Sequence, residues 1–252
     1  PRTAMLKTTD TLDTVGLMAR SVDDLGLMFD IMRVKDRNYP VVYHEYQKIE
    51  RLTIGSRPWR VGFITGPKTS LRSDILKPQM ESLRKKLESL GCEIVDCAYP
   101  EMSNKAHDHH NKIYDKALSY YFKREWGIDK SLFSPKLSEM IENGLATSYE
   151  SYAESLKFQS QFAEQLDETI EGTCDVFIDV TANDEAPFED DMNIRPDHNL
   201  LCTMGHIPAI SLPMMTGDHG LPVGVLIGAR RFDDYKLLYF AKFLEDNFLS
   251  KA

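Results

Sequence analysis

A chain of 252 residues with 42% hydrophobic side chains can bury roughly 70–75% of the surface its unfolded form exposes, so one large domain, or one domain with a small lobe, is expected. Its 30 Lys and Arg stand against 39 Asp and Glu, a formal net charge of -9 spread along the chain, which disfavours direct contact with nucleic acid. No apolar run approaches the ~20 residues of a bilayer crossing and no charged-then-apolar leader opens the chain, so a cytoplasmic protein without a membrane partner is the expectation.

In chain order, Thr14-Val15-Gly16 is loop-like. Ser21 then caps a helix with Asp23 and Asp24 in its first turn and Leu25, Met28, Phe29 and Met32 along one side. Residues 39–58 are polar and read as irregular. RVGFITG at 60–66 reads as a strand, Asp74 opens a helix whose buried stripe is Leu83, Leu87 and Leu90, Gly91 stops it, and CEIVDCAYP at 92–100 is the next strand. Strand, helix and strand in about 40 residues form a βαβ unit with a parallel pair. Residues 105–170 are helical in pattern and read as a lobe: one helix over 105–127, a looser stretch over 131–146, and a second helix over 148–172. DVFIDV at 175–180 returns to strand, followed by the acidic loop TANDEAPFEDDMNIRPDHN. HIPAISLP at 206–213 and GLPVGVLIGA at 220–229 are strands, the latter apolar enough to be covered on both faces. DDYKLLYFAKFLEDNFL closes the chain as a helix. The fold class is therefore α/β, a mixed β-sheet with helices on both faces.

Side chains with possible chemistry are scattered. His107, His109 and His110 stand beside Asp108, but on a helix only His107 and His110 share a face, which supplies two ligands rather than a metal site. Asp184, Glu185, Glu189, Asp190 and Asp191 could hold a cation or a substrate ammonium, although a solvated charge run is the simpler reading. The cysteines at 92, 97, 174 and 202 have no ligand spacing and read as reduced thiols, though Cys92 and Cys97 could meet across a strand. No GxSxG elbow and no phosphate-cradling GxGxxG occurs, so no cofactor is expected.

Three ordered segments carry a resemblance. LDTVGLMARSVDDLGLMFDIM resembles the LDTxGPxARxVxDxAxLLDxL stretch of the amidase signature enzymes. CDVFIDVTANDEAPF falls where that family has DxLLxPTxPxxAP, and GHIPAISLPMMTGDHGLPVGVLIGARRFDDYKLLYFAKFLE is similar to its closing segment. The resemblance implies that residues 1–252 are the C-terminal portion of one amidase signature domain, whose parent hydrolyses a small-molecule carboxamide through an acyl-enzyme on serine. In that family the catalytic lysine, cis serine and nucleophilic serine precede the LDTxGPxAR stretch, near a GxKPT motif that Pro1 touches or follows. All three are then expected to be missing, the fragment to be inactive by itself, and a missing N-terminal segment or a homo-oligomer contact to cover the exposed apolar surface.

What the resemblance leaves on this chain is the wall of the substrate cleft, about residues 105–170 and 181–205. The substrate-pocket candidates are Asp184, Asp190, Asp191, Arg195, Cys202 and His206. Cys202 takes the place of a common asparagine, and Met204-Gly205-His206-Ile207 replaces a smaller AGLP. Arg195 falls where glutamine-using members carry an acid, a place that one gap would give to Asp190 or Asp191. A non-catalytic binding or scaffold protein is the alternative, and a metal enzyme on His107 and His110 a distant third.

Overall fold

The computed structural model describes residues 4–33, 58–65, 67–188 and 197–249. The readings made for Pro1, for residues 39–57 and for Asp190, Asp191 and Arg195 lie outside them. Two compact units divide the chain: a sheet unit of residues 17–99, 166–202 and 207–252, and a helical unit of residues 1–16, 100–165 and 203–206. No described helix is long and apolar enough to cross a membrane.

The sheet unit is built on five strands in the order β2-β1-β3-β5-β4: β1 (Arg60–Thr65), β2 (Glu93–Ala98), β3 (Val176–Val180), β4 (Ala209–Thr216) and β5 (Pro222–Gly228). β1 pairs in parallel with β2 and with β3, whereas β5 runs antiparallel to β3 and β4. This is the mixed α/β sheet expected from the pattern. Successive strand residues point to opposite faces. Val176, Ile178 and Val180 therefore join one core with Val61, Phe63, Val225 and Ile227, while Phe177 and Asp179 face the other way.

Three helices cover the first face: α1 (Val22–Met32), α2 (Leu76–Ser89) and, closing the chain, α8 (Asp234–Phe248). Ser21 caps α1 by accepting the Asp24 N–H. On α2 the buried residues are Leu76, Met80, Leu83 and Leu87, one stripe at three- and four-residue spacing. Leu90, expected in that stripe, is exposed, because it is the C-cap from which the chain turns through Gly91 at φ 87°. Asp74 does not open the helix either. It pairs with Lys77 Nζ at 2.6 Å just before it.

The helical unit holds α3 (Ser103–Tyr121), α4 (Lys123–Ile128), α5 (Pro135–Ala146) and about the first two-thirds of α6 (Tyr149–Thr173), whose last turns belong to the sheet unit. The single helix expected over 105–127 is broken at Phe122, which lets Trp126 pack with Leu118, Ile141 and Phe133. The stretch read as loose is helical from Pro135, because Ser134 accepts the Leu137 N–H and proline suits the first helical position. Gly144 brings α5 against α3, where a Cβ would stand 1.9 Å from the Asp115 carbonyl oxygen. Lys116 then donates to the carbonyls of Gly144 and Thr147 at 3.2 and 2.6 Å, satisfying the end of α5.

Candidate functional site

The chain leaves β1 toward β2 on one side and returns to β3 on the other, so the carboxyl ends of β1 and β3 flank a topological switch point. Open α/β sheets hold ligands in such crevices. A polar cluster occupies this one. Asp179, one residue before the end of β3, is completely buried. Its Oδ1 accepts from Arg72 Nη2 at 2.6 Å and from the Val180 N–H at 2.8 Å. Its Oδ2 accepts from His198 Nδ1 at 2.8 Å and, at longer range, from the Tyr99 hydroxyl at 3.5 Å. A buried carboxylate needs this kind of solvation, since leaving it bare costs several kcal/mol.

Each partner comes from a different segment. Arg72 follows the short 3₁₀ turn Pro67–Leu71 and also donates to the Ile64 carbonyl at 3.3 Å. His198 lies in α7 (Asp197–Gly205), on the face of the sheet opposite the main core, and is itself fully buried. Its second nitrogen, Nε2, meets Asn183 Oδ1 at 2.9 Å. The Asp179–His198 pair therefore has the geometry of an oriented base, but its outer nitrogen is sealed by Asn183 and reaches no substrate in this arrangement. Burial first, and then the charge of Asp179, holds the Tyr99 phenol far above its ordinary value. The same causes push the Cys202 thiol up to about 12, so it stays protonated at neutral pH and is no nucleophile.

The remaining sequence-derived candidates fall elsewhere. Asp184 is exposed and its Oδ1 accepts the Glu185 N–H. Glu185 does the more specific work, since its carboxylate accepts from the N–H groups of His219 and Leu221 and from His219 Nδ1. This latch ties the loop after β3 to the β4–β5 hairpin. His206, in the helical unit, has φ 54° and its Nε2 lies 2.8 Å from the Thr11 carbonyl.

One serine meets a histidine in the helical unit: Ser155 Oγ lies 3.1 Å from His109 Nδ1. The Ser155 hydroxyl donates to the Ser151 carbonyl at 2.9 Å, so it accepts from the imidazole, the reverse of nucleophile activation. Burial, the largest cause, lowers the pKa of His109, and likewise that of His110, which stacks on Tyr114. Among the described residues no group of three or more His, Cys, Asp or Glu is placed to hold a metal ion. The four cysteines are free and buried. The thiols that share a hydrogen bond are Cys97 and Cys174, not Cys92 and Cys97, and they converge over Gly62.

Arg72, Asp179, Asn183 and His198 escaped the sequence reading. One signal was available, an aspartate in the otherwise apolar VFIDV strand, because charged residues are almost never fully buried unless paired.

A family model described as Amidase matches residues 1–238. The A subunit of glutamyl-tRNA(Gln) amidotransferase from Neorickettsia sennetsu is 22% identical over 282 residues, covering 97% of this chain and 57% of that protein. Among solved structures, 6-aminohexanoate cyclic dimer hydrolase superposes with a TM-score of 0.75 at 19% identity, over 91% of this chain and 54% of its own. The A subunit of the Thermotoga maritima glutamyl-tRNA(Gln) amidotransferase gives 0.72 at 19% identity, over 98% and 55%. The chain thus spans little more than half the length of the relatives it matches.

Proposed function

The chain belongs to the amidase family, and on that premise we propose that it serves the hydrolysis of carboxamide bonds in small molecules. The observation that carries this reading is the family match over residues 1–238. In the proposed reaction a serine oxygen attacks the amide carbonyl, the amine or ammonia leaves, and water releases the acyl group. The described residues offer no activated serine, since the one serine–histidine contact runs in the wrong direction. The nucleophilic serine, its serine neighbour and the lysine are accordingly proposed to come from sequence beyond residues 1–252. Those residues then build the sheet and one wall of the cleft.

Exposed apolar side chains support a covering partner. In the sheet unit Met18, Leu27 and Ile31 are 91%, 60% and 72% exposed. The proposed cover is the remaining amidase sequence or a second copy of the chain. The test is ammonia release from a panel of primary carboxamides. The protein purified from its native source should turn over at least one member, and residues 1–252 alone should release ammonia no faster than buffer. Turnover by residues 1–252 alone would overturn the assignment of the nucleophile. No turnover by the native protein would overturn hydrolysis.

A further inference from the structure

Two thiols meet over the middle of the sheet. Cys97 is in β2 and Cys174 stands just before β3, so they come from either side of β1, the strand between. Gly62 of β1 is what lets them meet. A Cβ there would stand 2.8 Å from Cys174 Sγ, 2.9 Å from Cys97 Cβ and 3.3 Å from Cys174 Cβ. The room that any other side chain would need is therefore filled by the two cysteines, and the Gly62 N–H donates to the Cys174 sulfur. The other cysteines lie elsewhere. Cys92 belongs to the core on the other face of the sheet, and Cys202 stands beside Asp179.

The contact between the two thiols is asymmetric. The Cys174 S–H donates to the Cys97 sulfur, and this bond lowers the Cys97 pKa against the opposing effect of burial. The same bond first, and burial second, raise that of Cys174. Thiol oxidation proceeds through the thiolate, whose share follows the pKa. Cys97 is thus prepared to react first, while Cys174 keeps a proton to give up. Cys97 and Cys174 are 3% and 6% exposed. The reaction needs no binding pocket, because the oxidant is as small as two oxygens and the second sulfur is already in contact with the first.

We propose that Cys97 and Cys174 are a site of reversible oxidation, closing to an intramolecular disulfide over Gly62 when the protein meets hydrogen peroxide. The Cys97 thiolate attacks one peroxide oxygen, the O–O bond breaks, and the departing hydroxide takes up the proton that Cys97 had released. Cys97 is left as a sulfenic acid. The Cys174 sulfur then attacks the Cys97 sulfur, the S–O bond breaks, and hydroxide leaves with the Cys174 proton as water. Two thiols and one peroxide give one disulfide and two waters, with two electrons passing from sulfur to oxygen. The bridge ties β2 to the entry of β3 and restricts the unfolded chain between them. A dithiol reverses it by exchange. None of this depends on amide hydrolysis.

The experiment treats the reduced, folded protein from its native source with hydrogen peroxide, alongside N-acetylmethionine as an open thioether that reports the dose. Catalase stops the reaction, free thiols are alkylated in denaturant, and unreduced peptides are mapped by mass. The expected product is a peptide pair joined through Cys97 and Cys174, formed before half of the N-acetylmethionine is oxidised and released by dithiothreitol. The oxidised protein should unfold at a higher urea concentration than the reduced one. Cys174→Ser keeps a hydroxyl to donate to Cys97, and should lose the cross-link and leave a Cys97 sulfenic acid that dimedone captures. Oxidised N-acetylmethionine with both cysteines still alkylated would overturn the proposal, since the pair would then be sealed from the oxidant. So would Cys97 joined to Cys92 or to a second molecule, or a cross-link that forms only in denaturant. The mapping of the unaltered protein decides the matter even where the variant fails to fold.

Discussion

The two units bury polar groups with different shares of local and long-range pairing. In the helical unit several solutions are local, although buried Gln159 donates to the Thr11 carbonyl 148 residues away. Ser155 donates to the carbonyl four residues back, Ser119 to the one three back, and Lys116 closes the end of a helix packed beside its own. In the sheet unit Asp179 is satisfied by Arg72, 107 residues away in sequence, and by His198, 19 away. Local pairing makes a scaffold that tolerates change at single positions. A long-range buried network concentrates its cost at one residue.

The sharpest challenge to this contrast is Asp179→Ala. It strands Arg72 and His198 without their common acceptor and should cost about 3–5 kcal/mol, read from urea unfolding. A loss below about 1 kcal/mol would mean the network is solvated and the contrast false. Next comes Gly144→Ala in the helical unit, whose Cβ would meet backbone at 1.9 Å. It should cost about 1–3 kcal/mol by forcing α5 off α3, seen as a lower melting temperature.

Smaller still is Ser21→Ala. It removes the cap that accepts the Asp24 N–H at 3.1 Å and should cost about 1 kcal/mol in the same assay. The smallest effect is the pH dependence of the Glu185 latch. Bonds from the backbone N–H groups of His219 and Leu221 and from the His219 ring outweigh the cost of desolvation, the largest single contribution, and hold the Glu185 carboxyl below its ordinary value. A group whose folded value is depressed contributes stability that is present above its unfolded pKa and lost as pH falls through the folded one. Glu185→Gln should therefore lower stability at neutral pH, leave strongly acidic pH least affected, and so flatten the acid limb of the stability profile. An unchanged acid limb would mean that the latch contributes nothing.

The same division explains what could be read from the amino acids. The main-core strands, α2 and α8 were legible because their apolar spacing repeats every two residues or every three to four, and Gly91 marked its turn by chemistry that only glycine performs cheaply. The break at Phe122 was not legible. Helical spacing continues through it, and only the packing of Trp126 against Ile141 reveals why the chain turns. The Asp179 cluster was hidden for a different reason, since no window of sequence holds residues 72, 179 and 198 together. Of the six pocket candidates, Cys202 stands beside that cluster as a buried, protonated thiol, while Asp184 and His206 are exposed.

Where the nucleophile lies is decided by peptide mapping of the native-source protein after labelling with a fluorophosphonate, which phosphonylates activated serines. The expected result is one modified serine, on a peptide outside residues 1–252, with loss of carboxamide hydrolysis in proportion to labelling. A modified serine within residues 1–252, or full labelling with undiminished hydrolysis, would contradict the proposed division of the amidase between this chain and sequence beyond it.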